Sequence, residues 1–131
     1  MTGEIKTYET ALGKYWLDGE ILHFQAGNAP RTIPHVKENF GTIRRAMNNK
    51  KVCLLADLSD ISPLEKDTRD YIVREVQQTY SAVAFVSDSH LGNVIAKMFL
   101  MLKEPGFPGR KFSDEKEAIA WLKQFRDPAF R

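Results

Sequence analysis

Two short polar clusters, each following an apolar run, hold most of the side chains in this sequence that could do chemistry. Val52 to Ala56 is followed by Asp57, Ser59, Asp60 and Ser62, and Ala82 to Val86 is followed by Ser87, Asp88, Ser89 and His90. Aspartates suit hard cations, and a histidine can extend such a set. Asp57, Asp60, Asp88 and His90 would therefore make a metal or acid–base group if the fold gathered them. Their spacing matches no ligand loop, and an acid–base pair needs surroundings that separate its two pKa values. Neither a metal nor a cofactor is expected. A helix start beside these residues could bind an anion through its free N–H groups. Serine and aspartate are also ordinary turn formers and caps where strands end. A ligand rim and a set of caps are thus both open readings of Asp57, Ser59, Asp60, Ser87, Asp88, Ser89 and His90.

Other reactive types are placed less suggestively. Cys53 lies inside the apolar run, where a free cysteine packs as a small hydrophobe. It does not sit at a helix start, where a nucleophile would be activated, and no G-x-S-x-G elbow is present. His23 falls on an expected strand and His35 in the first turn of an expected helix. Gly106-Phe-Pro-Gly109 contains prolines where a phosphate-cradling loop needs glycine spacing, and reads as a rigid turn.

The elements that must position these residues follow from periodicity. Leu12 to Leu17 and Glu20 to Gln25 flank Asp18-Gly19, a two-residue hairpin signal in which both turn positions would take positive φ. After Ala26 to Pro30 a helix of about 17 residues is expected, capped by Thr32, tolerating Pro34 in its first turn and closed by Asn48-Asn49. Its apolar line is Val36, Phe40, Ile43 and Met47. Val52 to Ala56 reads as a strand covered on both faces. The next helix carries Ile72, Val76 and Tyr80 on one line, and Ala82 to Val86 is a second buried strand. A third helix presents Leu91, Val94, Ile95, Met98, Phe99 and Leu102 at i, i+3, i+4 spacing. Arg110 to Phe112 reads as an edge strand. Ser113 is the expected cap of a last helix that buries Ala118, Trp121, Leu122 and Phe125.

Strands alternating with helices imply right-handed crossovers and a mostly parallel sheet, with antiparallel character at the opening hairpin. The expected fold is α/β: a four- to five-stranded, mostly parallel mixed sheet with an N-terminal β-hairpin and about four helices. The 131 residues fit one domain, residues 1–131, with loose ends at about 1–6 and 126–131. Nineteen basic against seventeen acidic side chains leave a formal charge of +2, which gives no electrostatic reason to expect nucleic acid. One cysteine permits no internal disulfide and suits a reducing compartment. The first ten residues lack a signal-peptide pattern, and no apolar stretch reaches the roughly 20 residues of a membrane span. A cytoplasmic setting is expected.

The third helix is apolar on more sides than one core-facing stripe needs. Met98, Leu100 and Met101 therefore mark a candidate interaction surface, to be covered by a second copy of the chain, by a partner, by a small apolar ligand, or by Pro105 to Phe112 folding back.

Asp57-Leu58-Ser59 at a strand end, the turn Ala84-Phe-Val-Ser-Asp88, and the segment Arg110-Lys-Phe-Ser-Asp-Glu-Lys-Glu-Ala-Ile-Ala-Trp-Leu122 together resemble the STAS fold. Within it they resemble the SpoIIAA-like, or STAS/SEC14-like, proteins of bacteria, over roughly residues 10 to 125. The resemblance implies a non-enzymatic regulatory or protein-interaction module, expected as a homodimer. Its SEC14 half implies the alternative of a small-molecule or lipid carrier. In STAS anti-sigma-factor antagonists a serine in Asp-Ser-Ser-Gly is phosphorylated. The matching stretch here, Ser62 to Arg69, lacks that motif and leaves Thr68 as the hydroxyl at the helix start.

Overall fold

Six strands form one sheet, laid side by side in chain order. In the computed structural model, which describes residues 6–125, they are β1 (Thr7–Thr10), β2 (Gly13–Asp18), β3 (Ile21–Ala26), β4 (Val52–Asp57), β5 (Tyr80–Val86) and β6 (Gly109–Lys111). Four α-helices accompany them among the described residues: α1 (Ile33–Ala46), α2 (Lys66–Thr79), α3 (His90–Leu102) and α4 (Glu115–Leu122). β1, β2 and β3 are antiparallel neighbours, while β3 to β6 run parallel. The expected α/β class holds, with one strand more than the sequence indicated. β1 alternates exposed and half-buried residues, so its place depends on the β2 ladder rather than on an apolar pattern of its own. The ends expected to be loose lie outside the described residues except for Lys6, whose carbonyl accepts from the Leu17 N–H.

Strands added in one direction through right-handed crossovers must put every connecting helix on the same face. The packing agrees. Leu22, Leu54, Ala56, Val83 and Phe85 meet Val36, Phe40 and Ile43 of α1, Val73 and Val76 of α2, and Ala96 and Phe99 of α3. The alternate residues Ile21, Cys53, Leu55, Ala82 and Ala84 meet Phe112, Ala118 and Leu122 on the opposite face, under α4. Both faces of β4 and β5 are therefore covered, as their continuous apolar runs required. Cys53 is 1% exposed and its thiol lies 3.4 Å from the Leu122 carbonyl, which makes it part of the α4 contact.

Local details depart from the sequence reading in instructive ways. Asp18 pairs with Ile21, so the hairpin turn is Gly19-Glu20, and only Gly19 of the two takes positive φ. α1 stops at Ala46, because Asn48 and Asn49 both adopt left-handed backbone and return their N–H groups to Arg45 and Arg44 carbonyls. Tyr80 leaves the expected helix line and opens β5 directly after α2, its backbone already extended. The last helix is capped by the Asp114 carboxylate, which accepts from the Lys116 N–H, rather than by Ser113. Of its expected stripe, Ala118 and Leu122 are buried, while Trp121 and Phe125 are half-buried.

The largest correction concerns α3. Its buried line is Gly92, Ala96 and Phe99, while Leu91, Val94, Ile95 and Met98 are half-buried and Leu102 is 47% exposed. A helix apolar all round has no polar face to fix its rotation, so the small residues that permit close approach decide it. A Cβ on Gly92 would overlap the Leu58 carbonyl and the Ser87 hydroxyl oxygen.

Replacing Gly92 with alanine is expected to lower unfolding free energy by about 1–3 kcal/mol, because backbone has to move. Gly41→Ala in the middle of α1, where only the mobile end of Arg45 comes near, is expected to raise it by about 0.5–1 kcal/mol. Urea titration of both variants checks the contrast.

The α4 face supplies a pH prediction. His23 is buried, stacked on Trp16, and 3.7 Å from the Glu115 carboxylate. Burial lowers its pKa below the ordinary histidine value, with Glu115 and Asp18 opposing. The unfolded chain then takes up the proton first, so stability is full above the unfolded histidine pKa and declines below it. Between about pH 7.5 and about pH 5.5 the melting temperature should fall more in the native protein than in His23→Leu.

Candidate functional site

The two polar clusters do come together at the carboxyl ends of β4 and β5, and their hydrogen bonds are spent on one another. Asp57 Oδ1 accepts from the Ser59 N–H at 2.9 Å and from its hydroxyl at 2.6 Å, and Ser59 Oγ accepts from the Asp88 N–H at 3.0 Å. Ser87 Oγ accepts from the Ser89 N–H at 3.1 Å, and Ser89 Oγ caps α3 by accepting from the Gly92 N–H at 3.0 Å. The Leu58 N–H donates to the Val86 carbonyl. This network ties two neighbouring strand exits and seats α3. His90 and Asp60 stand apart from it, both exposed, with Asp60 at the edge of a surface groove that Glu9 and Lys14 also line. Among the described residues, no three His, Cys, Asp or Glu side chains are grouped so as to share a metal ion.

Thr68 is buried in the first turn of α2 at 4% exposure, so the helix start would have to open before a kinase reached its hydroxyl. On α3, Met98 and Leu100 are half-buried. Phe107 packs against Phe99, and Gly109 lies against Leu100, so the segment after the helix does fold back over part of the apolar surface. Met101 remains 82% exposed.

The feature that sequence reading missed lies between the sheet and α1, α2 and α3. A cavity of about 80 Å³ opens there. Its floor includes Leu54, Ala56, Val83 and Phe85; Phe40, Val73, Val76 and Phe99 close it from the helices, and Leu58, Ile61 and Leu64 from the loop after β4. Into this apolar lining project Tyr15 from β2, Asn39 from α1, Arg69 from α2, Tyr80 from β5, and Arg31 from just before α1. Asn39 and Tyr80 are each 1% exposed.

The polar atoms here are incompletely satisfied. Thr10 donates its hydroxyl proton to Asn39 Oδ1 at 2.6 Å, which leaves the amide Nδ2 turned away from Thr10. Asn39 Nδ2, Tyr80 Oη and Arg69 Nε are buried without a well-formed hydrogen bond; the Tyr15 phenol is the polar neighbour of Asn39 and Tyr80, and Asp70 Oδ1 lies 3.6 Å from Arg69 Nε. A buried, unpaired donor costs about 1–3 kcal/mol, so three around one cavity mark a place where the fold is not optimised for itself. Arg31 is different: its guanidinium donates to the Leu12, Gly27 and Ala29 carbonyls and pins the loop before α1. Burial lowers its pKa, with the nearby Tyr15 opposing, yet a guanidinium stays charged. Burial pushes the Tyr15 and Tyr80 phenols well above the ordinary tyrosine value, so both remain protonated donors at neutral pH.

Some of this was visible in advance. Asn39 stands three residues after Val36 and four before Ile43, a polar residue on the buried line of α1. Arg69 likewise precedes Ile72 and Val73 by three and four. Tyr80 and Arg31 carried no such signal, because one begins a strand and the other lies in a loop.

The family described as a domain of unknown function (DUF7793) matches residues 15–126 of the chain. A comparison with curated proteins gives no match. Among solved structures, the chain is similar to an uncharacterized protein of the DUF3478 family with a SpoIIAA-like fold from Shewanella loihica PV-4. The TM-score is 0.57 at 16% identity, covering 93% of this chain and 98% of that one. The SpoIIAA-like fold expected from the sequence is therefore present, and at that identity the likeness concerns fold alone. No described helix is long and apolar enough to cross a membrane.

Tyr80→Phe removes one unpaired hydroxyl without changing the ring's shape. In ligand-free protein it is expected to raise unfolding free energy by about 0.5–1.5 kcal/mol, the reverse of the usual loss when a satisfied buried tyrosine is truncated. Guanidinium titration reads the sign.

Proposed function

This chain belongs to the DUF7793 family, and we propose that it is a non-enzymatic module whose working part is the cavity beneath α1, α2 and α3, where it binds a small, largely apolar molecule. The observation that carries this reading is the convergence of incompletely hydrogen-bonded Asn39, Tyr80 and Arg69 atoms on an apolar space. A mostly apolar pocket with a few converging polar groups is the usual form of a small-molecule site. The groups present support recognition rather than turnover: an amide, two protonated phenols and two guanidiniums supply hydrogen bonds, and none is a general base at neutral pH. The polar rim at the ends of β4 and β5 then serves as scaffold, holding α3 and the loop after β4 against the cavity. This is the carrier alternative of the sequence reading, placed ahead of the regulatory one.

A specific observation favours a second reading, in which the module acts through protein contact as a homodimer. Met101 and Leu102 close α3 with large apolar side chains that the chain leaves uncovered. Exposed apolar patches of this kind mark interaction surfaces. The SpoIIAA-like fold supports a regulatory role of that type, in which Met98 and Leu100 would form the patch's margin.

Toluene is the probe that separates the two, since a dry cavity of roughly 150 Å³ takes benzene and this one, at about 80 Å³, has to open to about twice its volume. Added to labelled protein, toluene should shift amide resonances of residues around Leu54, Val73 and Phe99, and Ala56→Leu should abolish the shifts. Shifts confined to Met101 and Leu102, with dimers in light scattering that Met101→Glu dissolves, would instead establish the contact module.

A further inference from the structure

We propose that the cavity selects a small monocarboxylate with an apolar body, its acid group held by Arg69, Asn39 and Tyr80; this rests on the reading of the cavity as a ligand site. Every unpaired polar atom there can donate: Asn39 Nδ2, Arg69 Nε and the Tyr80 hydroxyl. The acceptor that Asn39 could offer is already used by Thr10 at 2.6 Å. No aspartate or glutamate lines the cavity, and two guanidiniums do. An amine would meet two positive charges, with only the phenol oxygens to accept from it. A primary amide would bring two donors with only the phenol oxygens to receive them, and no negative charge for the guanidiniums. A carboxylate brings two oxygens that only accept and one negative charge, which suits a lining dominated by donors and positive charge.

Charge argues for one acid group rather than a phosphate dianion. Three of the five Arg31 N–H groups donate to the Leu12, Gly27 and Ala29 carbonyls, so the side chain is anchored to the loop before α1 and acts on the cavity chiefly through its field. Arg69 is the cation whose Nε makes no well-formed hydrogen bond. Asp70 lies 3.6 Å from that Nε but pairs with Lys66 at 2.9 Å, so it neutralises Arg69 incompletely. One guanidinium, one amide and one phenol suit a monoanion. The rest of the lining is aliphatic and aromatic, and at about 80 Å³ it accommodates a body of a few carbons before any widening. Burial strengthens each contact, since a charge-assisted hydrogen bond gains as water is excluded.

The test uses the whole chain with sodium butyrate, sodium benzoate, benzyl alcohol, benzamide and toluene, ionic strength held constant with sodium chloride. Affinity is read by amide chemical shifts and by the rise in melting temperature. Butyrate and benzoate should bind at least about tenfold more tightly than benzyl alcohol or benzamide. Arg69→Met should remove that preference while leaving toluene binding in place. Arg69→Lys, which keeps the charge and loses the Nε donor, should weaken benzoate by several-fold, and Tyr80→Phe should do the same. Toluene or benzyl alcohol binding without a carboxylate preference would overturn the acid inference and leave the cavity reading standing. Carboxylate binding unaffected by Arg69→Met would likewise overturn it, because the anion would then sit elsewhere. No shift with any of the five probes would remove the cavity reading itself.

Discussion

Burial of β4 and β5 on both faces is the constraint on which the rest of this molecule depends. Two adjacent strands with no wet side need helices above and below, and their alternating side chains dictate how near each layer comes. On one face Cys53, Ala82 and Ala84 are small, so a single short helix, α4, lies close and is held by Ala118 and Leu122. On the other, Leu54, Val83 and Phe85 are larger and support three helices. Three helices over a twisted sheet do not fill the space beneath them as uniformly as one.

The cavity is the consequence of that unequal layering combined with what stands at its edge. Tyr15 stacks on Phe24 at 4.3 Å, Tyr80 tilts against Phe40 at 6.4 Å, and both phenols are buried at the cavity. Asn39 is held in place by Thr10 on the far side of the antiparallel strands. A leucine in place of any of these would let α1 and α2 settle further. Keeping polar tips there costs folding free energy, and such departures from self-consistency collect where a protein does its work.

The polar rim illustrates how chemistry-bearing residue types can be gathered without being left available. Asp57, Ser59, Ser87, Asp88 and Ser89 converge at the strand ends, yet the Asp57 Oδ1, Ser59, Ser87 and Ser89 groups and the Asp88 N–H are used to join two strand exits and cap α3. With Gly92 pressed on the Leu58 carbonyl, this joint fixes the rotation of α3 and turns Phe99 toward the cavity while Met101 faces out. The rim thus acts on the cavity at one remove, by setting the helix that closes it.

What the residues determined unaided was whatever arises from neighbours in sequence. The period-2 and period-3.6 patterns located five of the six strands and all four described helices. The Thr32 cap, a cap for α3 within Ser87 to Ser89, the two-faced burial of β4 and β5, and the SpoIIAA-like order of elements were also legible, because local hydrogen bonding and side-chain periodicity produce them. Tertiary structure decided the remainder. β1 exists because β2 offers a ladder. Tyr80 is a strand residue because α2 and β5 meet without a loop. The apolar rotation of α3 was settled by glycine and alanine packing against distant backbone. The candidate site belongs to this second group: Tyr15, Arg31, Asn39, Arg69 and Tyr80 come from five separate segments, and no spacing along the chain encodes the space they enclose. A void is a property of how layers fail to meet, and that failure is defined only once all the layers are in place.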